Sequence, residues 1–143
     1  MTIREFNYLP EDAKIVRNEV FVKEQGFINE FDETDNNSVH IVLYNKDKPI
    51  STCRIYFHIG KQMFVIGRIA VLKEHRGNNV GAVTLRFAEE SIRNNGGSSV
   101  ILSAQVRIAK FYEKHGYTKQ GEVYLDEDCP HVWMIKNLED DVV

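Results

Sequence analysis

Residues 63–104 constrain the fold more tightly than any other part of the chain. Met63–Leu72 is almost continuously apolar, as expected of a central strand buried on both faces. His75–Asn79 then leads into an amphipathic segment from Val80 to about Asn95, where Asn94-Asn95-Gly96-Gly97 stops it. Ser99–Ala104 follows as a second apolar run. A strand, a helix and a strand of these lengths imply a right-handed parallel crossover. On the helix, Val80, Val83, Leu85, Phe87, Ala88, Ser91 and Ile92 share one broad arc, with Ala82, Arg86, Glu89, Glu90 and Arg93 on the remainder.

The flanks supply further strands and two helices. Ile3–Tyr8 reads as a strand. Pro10 opens a helix, with Glu11 and Asp12 at its dipole-positive end, that runs to about Gln25 and is ended by Gly26. Its stripe of Ala13, Ile15, Val16, Val20 and Val22 leaves Phe21 off the face. Asn29–Ser38 is a polar, acidic loop. Val39–Tyr44 and Ile50–Ile59 form a hairpin about Asn45–Pro49. Ser51, Cys53, Ile55, Phe57 and Ile59 share one face of the second strand, so Cys53 reads as a core residue and not a nucleophile. A short helix about Arg107–His115 groups Ile108, Phe111 and Tyr112, and Tyr117–Tyr124 and His131–Lys136 are closing strands before an acidic tail. The pattern is one mixed α/β domain spanning residues 1–143.

Composition excludes several classes. With 43% hydrophobic and 27% charged residues, the chain of 143 residues is neither disordered nor collagen-like. No apolar run approaches the ~18 residues of a membrane span, and Met-Thr-Ile-Arg-Glu does not begin a signal peptide. Cys53 and Cys129 stand far apart without a CxxC pair, which argues against a disulfide framework or zinc site and points to a reducing cytoplasm. The net charge of −3 conceals segregation: residues 61–120 carry ten basic and four acidic side chains, whereas 121–143 carry one basic and seven acidic. Such a chain can meet ligands of opposite sign on different parts of its surface, or simply present solvated faces. It offers no basic stripe for nucleic acid.

Arg76-Gly77-Asn78-Asn79-Val80-Gly81-Ala82 sits where the buried strand becomes the helix. Glycine and asparagine accept left-handed conformations, so successive N–H groups can converge at a helix N-terminus and cradle an anion. A P-loop would need Gly-Lys-Ser/Thr and a dinucleotide fingerprint Gly-x-Gly; neither is present. The stretch is similar to the Gln/Arg-x-x-Gly-x-Gly/Ala pyrophosphate loop of the Gcn5-related N-acetyltransferases, filled here by Arg76, Asn79 and Gly81. Asn79 replaces the usual glycine and is the residue next most tolerant of positive φ. Gly67-Arg68-Ile69-Ala70-Val71 looks like that family's fourth strand, and Phe111–Tyr117 like its late helix. Val16–Gly26, Ser103-Ala104-Gln105 and Pro130–Met134 resemble its ElaA/YjcF-like branch.

The resemblance covers nearly the whole chain. It implies a mostly antiparallel sheet around the parallel strand–helix–strand unit, with acetyl-CoA in a notch between the fourth and fifth strands. It places the cofactor on Ile69, Ala70, Val71, Arg76, Gly77, Asn78, Asn79, Val80, Gly81, Ala82, Gln105 and Tyr112, with backbone groups of Ile69 and Val71 at the pantetheine arm and thioester carbonyl. Tyr112 would protonate the departing thiolate. The implied activity is direct acetyl transfer to a primary amine of a small molecule or peptide, by a cytoplasmic protein that needs no metal and for which a homodimer is one open assembly. A non-catalytic acyl-CoA-binding or regulatory module is the rival reading.

An amine of pKa about 10.4 costs roughly 4.6 kcal/mol to deprotonate at pH 7, so a base or relay water must help. No Asp or Glu lies between Asp47 and Glu74 or between Glu90 and Glu113. The candidate bases are therefore Glu24, Glu122 and His131, with water as the alternative. Asp126-Glu127-Asp128-Cys129-Pro130-His131 matches no established zinc spacing and reads as a substrate-side acidic loop. With Asn29–Asp35, it favours a cationic acceptor such as a polyamine, amino sugar or lysine.

Overall fold

The structure, a computed structural model, describes residues 1–141; the last two residues of the acidic tail lie outside it. Seven strands form one sheet: β1 (Thr2–Phe6), β2 (Val39–Asn45), β3 (Lys48–His58), β4 (Met63–Val71), β5 (Ser99–Gln105), β6 (Thr118–Asp126) and β7 (Cys129–Asn137). Their order is β1-β2-β3-β4-β5-β7-β6. Every neighbouring pair is antiparallel except β4 and β5. Helix α1 (Glu11–Arg17) continues as a π-helical segment, Asn18–Glu24; α2 (Val80–Asn94) is the crossover, and α3 (Ala109–Lys114) follows β5.

Alternation along β2 separates the two faces of the sheet. Ile41 packs with Leu85, Ala88 and Ile92 of α2, whereas Val42 packs with Ala13 of α1. Because successive strand residues point to opposite faces, the two helices cover opposite sides. Helix α2 is buried more widely than its apolar arc predicts, with Ala82, Thr84 and Glu89 also out of solvent. Glu89 is matched by Lys136 Nζ at 3.0 Å and by the Tyr117 hydroxyl at 2.7 Å.

The first helix departs from the expected regular helix to Gln25. Beyond Arg17 it widens into π geometry, in which hydrogen bonds span i to i+5 and more residues fill a turn. That rotation brings Phe21, off the face at α-helical spacing, into contact with Val16, Val20, Ala70 and Leu72.

The acidic Asn29–Ser38 segment is the second departure. Arg17, only 1% exposed, donates from Nε to Glu30 at 2.8 Å and from Nη1 to Asp35 at 2.7 Å. Arg54 on β3 reaches Asp32 at 2.7 Å and Asp35 at 2.9 Å, and Arg68 on β4 meets Glu30 at 3.1 Å. Three arginines thus match Glu30, Asp32 and Asp35, and of the loop's acids Glu33 alone stays exposed without an ion pair among the described residues. Desolvation raises the Asp35 carboxyl, but the two arginines and the Asp32 N–H outweigh it and hold it at about 2. Glu30 moves the other way, pushed up by burial.

The stabilisation from Asp35 is therefore complete above the ordinary carboxylate range and is lost as the pH falls toward 2, with Glu30 offsetting part of the loss. Asp35→Asn leaves two buried guanidinium groups short of a charge, and its urea midpoint at pH 7 should fall by the equivalent of about 3–5 kcal/mol. The same substitution should flatten the wild-type decline between pH 4 and pH 2.

Candidate active site

Strands β4 and β5 pair only at Phe64 with Val100 and Val65 with Ile101. Both continue beyond that point, β4 to Val71 and β5 to Gln105, so they part and open a notch. A bulge helps turn β4 away. On β3, Thr52 opposes Ala70 and Arg54 opposes Gly67, leaving Cys53 opposite both Arg68 and Ile69. Arg68 takes φ 50, and the bulged backbone leaves the regular ladder.

Two cavities meet in the notch, and Ile69, Ile108 and Tyr112 line both. On the α2 side, Gly77 has φ +85, with no heavy atom within 4 Å of where a Cβ would sit, and Asn79 has φ 65 directly before Val80. Among the described residues no side chain caps α2, and its first turn carries no acidic residue, so the first-turn N–H groups and the positive end of the dipole are left for a ligand. A Cβ at Gly81 would stand 3.5 Å from Phe111 Cζ and 3.6 Å from Val71 Cγ2, so a longer side chain there must grow into the groove. Arg76 and Arg107 line the same groove. Helix-start donors, a left-handed loop, space kept by glycine and two guanidinium groups fit the phosphates of a coenzyme A thioester.

Both arginines are already held. Arg76 donates from Nη1 and Nη2 to Glu24 at 2.7 Å each and from Nε to the Val71 carbonyl at 2.9 Å. These bonds hold the Glu24 carboxyl below its usual range. Gln105 donates to Gln25 Oε1 at 2.8 Å and accepts from Arg107 at 2.9 Å. Glu24 and Gln25, at the end of the π segment, therefore grip both walls of the notch.

On the other side, Tyr112 is joined by His131, Ser103 and Gln105, with Phe21, Phe27 and Ile66 as apolar walls. Burial pushes the Tyr112 phenol well above its ordinary value, and among the described residues its hydroxyl makes no hydrogen bond. His131 is 7% exposed; its Nδ1 donates to the Cys129 carbonyl at 2.8 Å, which fixes the tautomer and leaves Nε2 as the acceptor nitrogen.

Of the residues singled out in sequence, Ile69, Ala70, Val71, Arg76, Gly77, Asn79, Val80, Gly81, Ala82 and Tyr112 line the α2-side groove. Asn78 is not among its lining residues, and Gln105 stands in the second cavity. Glu24 sits on Arg76 at the mouth. Glu122 is exposed on β6 and lines neither cavity. Gln25, Arg107 and Ile108 escaped sequence reasoning, because nothing local marks a residue whose partner lies across a cleft.

A family model described as an acetyltransferase (GNAT) domain matches residues 8–138. The chain belongs to the GNAT acetyltransferase family. Among its relatives, the uncharacterised N-acetyltransferase YjcF of Bacillus subtilis strain 168 is 41% identical over 130 residues, 89% of this chain and 91% of YjcF. ElaA of Escherichia coli K12 is 30% identical over 125 residues, 83% of this chain and 81% of ElaA. Its crystal structure matches with a TM-score of 0.84 over 95% of this chain and 99% of that one. An acyl-CoA N-acyltransferase structure from Pseudomonas aeruginosa shares the fold, with a TM-score of 0.83 at 24% identity over 95% of this chain and 99% of its own. The ElaA/YjcF-like branch expected from sequence is the one these relatives define.

The left-handed turn at Asn79 gives the GNAT loop a direct test. Asn79→Gly should leave stability nearly unchanged, while Asn79→Ala, which must hold an L side chain at φ 65, should cost about 1–2 kcal/mol by urea unfolding.

Proposed function

We propose that this protein transfers acetyl from acetyl-CoA to a primary amine by direct attack, with Tyr112 as general acid and His131 as general base. The observation that carries the reading is Tyr112, a buried phenol in the wall shared by both cavities whose hydroxyl makes no hydrogen bond among the described residues. A thioester entering from the α2 side and an amine entering from the other meet there.

The start of α2 and the Arg76–Ala82 loop hold the pyrophosphate, and the β4 backbone at Ile69 and Val71 aligns the thioester arm. His131 Nε2 takes one proton from the ammonium, directly or through a water. The amine nitrogen attacks the acetyl carbon, and the carbonyl oxygen gains charge that a fixed N–H of Ile69 stabilises. The C–S bond then breaks, the sulfur keeps the electron pair, and Tyr112 gives it a proton. The second amine proton, released as the amide forms, restores the phenol. A raised pKa suits this role, since the phenol stays protonated as a donor throughout the working range. Direct attack is also favoured by the cysteines: burial pushes the Cys53 thiol up to about 12, and Cys129 lines neither cavity.

Acetyl-CoA at about 100 times its Kd adds roughly 2.7 kcal/mol and should raise Tm by several degrees, while ATP should not. Gly81→Glu, which puts a bulky anion beside the phosphates, should abolish that rise and leave unfolding cooperative; an unaltered rise would refute the cradle. Tyr112→Phe should lower kcat about 100-fold with the KM for acetyl-CoA within twofold. A fall in kcat of no more than twofold would remove Tyr112 from the chemistry. His131→Gln should lower kcat about 100-fold while leaving the acetyl-CoA thermal shift intact.

A further inference from the structure

We propose that the acceptor is a small dication, a primary amine carrying a second positive charge at the far end of an apolar stem, as in a linear diamine; this rests on the acetyl-transfer reading above. The polar groups lining the acceptor cavity sort into two kinds. Most are already engaged: Ser103 Oγ with the Tyr124 hydroxyl, both ends of the Gln105 amide with Gln25 and Arg107, and Glu30 with Arg17 and Arg68. Arg68 also meets Asp32, so its charge is matched. Little hydrogen-bonding capacity is left among these groups for the hydroxyls of a sugar.

The unengaged groups are of two kinds. The Tyr112 hydroxyl and His131 Nε2, on side chains at least nine-tenths buried, handle protons. Asp126 and Glu127, at the β6–β7 tip, have no ion pair among the described residues. Glu127 is placed by its Oε1, which accepts from the Ile28 N–H at 3.2 Å, leaving its second oxygen for a ligand. Asp126 lies two residues along β6 from Tyr124, the partner of His131, so about 7 Å of strand separates the acid from the residue opposite His131. Phe21, Phe27, Ile66 and Ile69 supply apolar wall to the same cavity. The lining therefore presents two carboxylates, apolar wall and proton-handling groups. A methylene stem matches the wall, its distal ammonium matches Asp126 and Glu127, and its reacting nitrogen reaches His131.

The test uses α,ω-diaminoalkanes of three to six carbons and n-alkylamines of the same lengths, at saturating acetyl-CoA. For at least one length, the diamine should show a kcat/KM at least tenfold above its monoamine, and the advantage should shrink as salt is raised. The double variant Asp126→Asn, Glu127→Gln should bring the ratio toward one. Asp128→Asn, which removes a charge from the same tip but does not line the cavity, should retain it. A retained acetyl-CoA thermal shift verifies that each variant is folded. Equal turnover of diamines and monoamines, or a preference that survives the double variant, overturns the diamine assignment and leaves acetyl transfer standing. Acetyl-CoA binding without acetylation of any amine overturns both.

Discussion

Two residue pairs, Phe64 with Val100 and Val65 with Ile101, join the halves of the sheet. Past them, β4 and β5 carry backbone donors and acceptors toward a neighbour that is no longer there, and such groups must find partners in water or a ligand. The bulge at Arg68 and Ile69 extends the same principle, because an unpaired residue within a central strand presents backbone polarity where a flat sheet would hide it. The groove, the second cavity and the shared Tyr112 wall all follow from that early parting. A longer parallel ladder would satisfy the backbone and close the site.

The parted strands need an independent brace on the side of the second cavity, and the arginine–carboxylate cluster supplies one. It ties Arg17 of α1, Arg54 of β3 and Arg68 of β4 to a loop that has little apolar content of its own. Burying the four charges of Arg17, Arg54, Glu30 and Asp35 is expensive, and well-packed apolar residues often do as well energetically. Ion pairs of fixed geometry nevertheless hold a polar loop against a strand that must keep its bulge. Arg68 belongs to both features, since the same residue turns the backbone and anchors the loop.

Features written in local pattern were legible in the sequence. The apolar run of β4, the start of α2 at Val80 and the left-handed Asn79 each depend on residues within a few positions of one another, and so are legible from the local pattern alone. Much of the groove lining, from Ile69 to Ala82 and at Tyr112, followed from the resemblance to the family's motifs. Features whose partners are distant were not legible. Asn29–Asp35 read as an acidic loop favouring a cationic acceptor, because Arg54 and Arg68, which pair with Asp35 and Glu30, lie on strands about 20 to 40 residues further along. Phe21 looked misplaced because a 3.6-residue period was assumed where the helix widens. Glu24 suggested a base, but the structure pairs it with an arginine 52 positions away.

The Glu24–Arg76 pair bears on how an anion enters. A phosphate reaching Arg76 meets a guanidinium already satisfied by a carboxylate at two points, and on the opposite wall Arg107 is already donating to Gln105. At Arg76, occupancy is then an exchange of one oxyanion for another more than the capture of a bare cation. Fewer mobile counterions are released in an exchange than in a capture, so affinity falls less steeply with ionic strength than two arginines at the rim would suggest. The groove is thereby buffered against the salt around it.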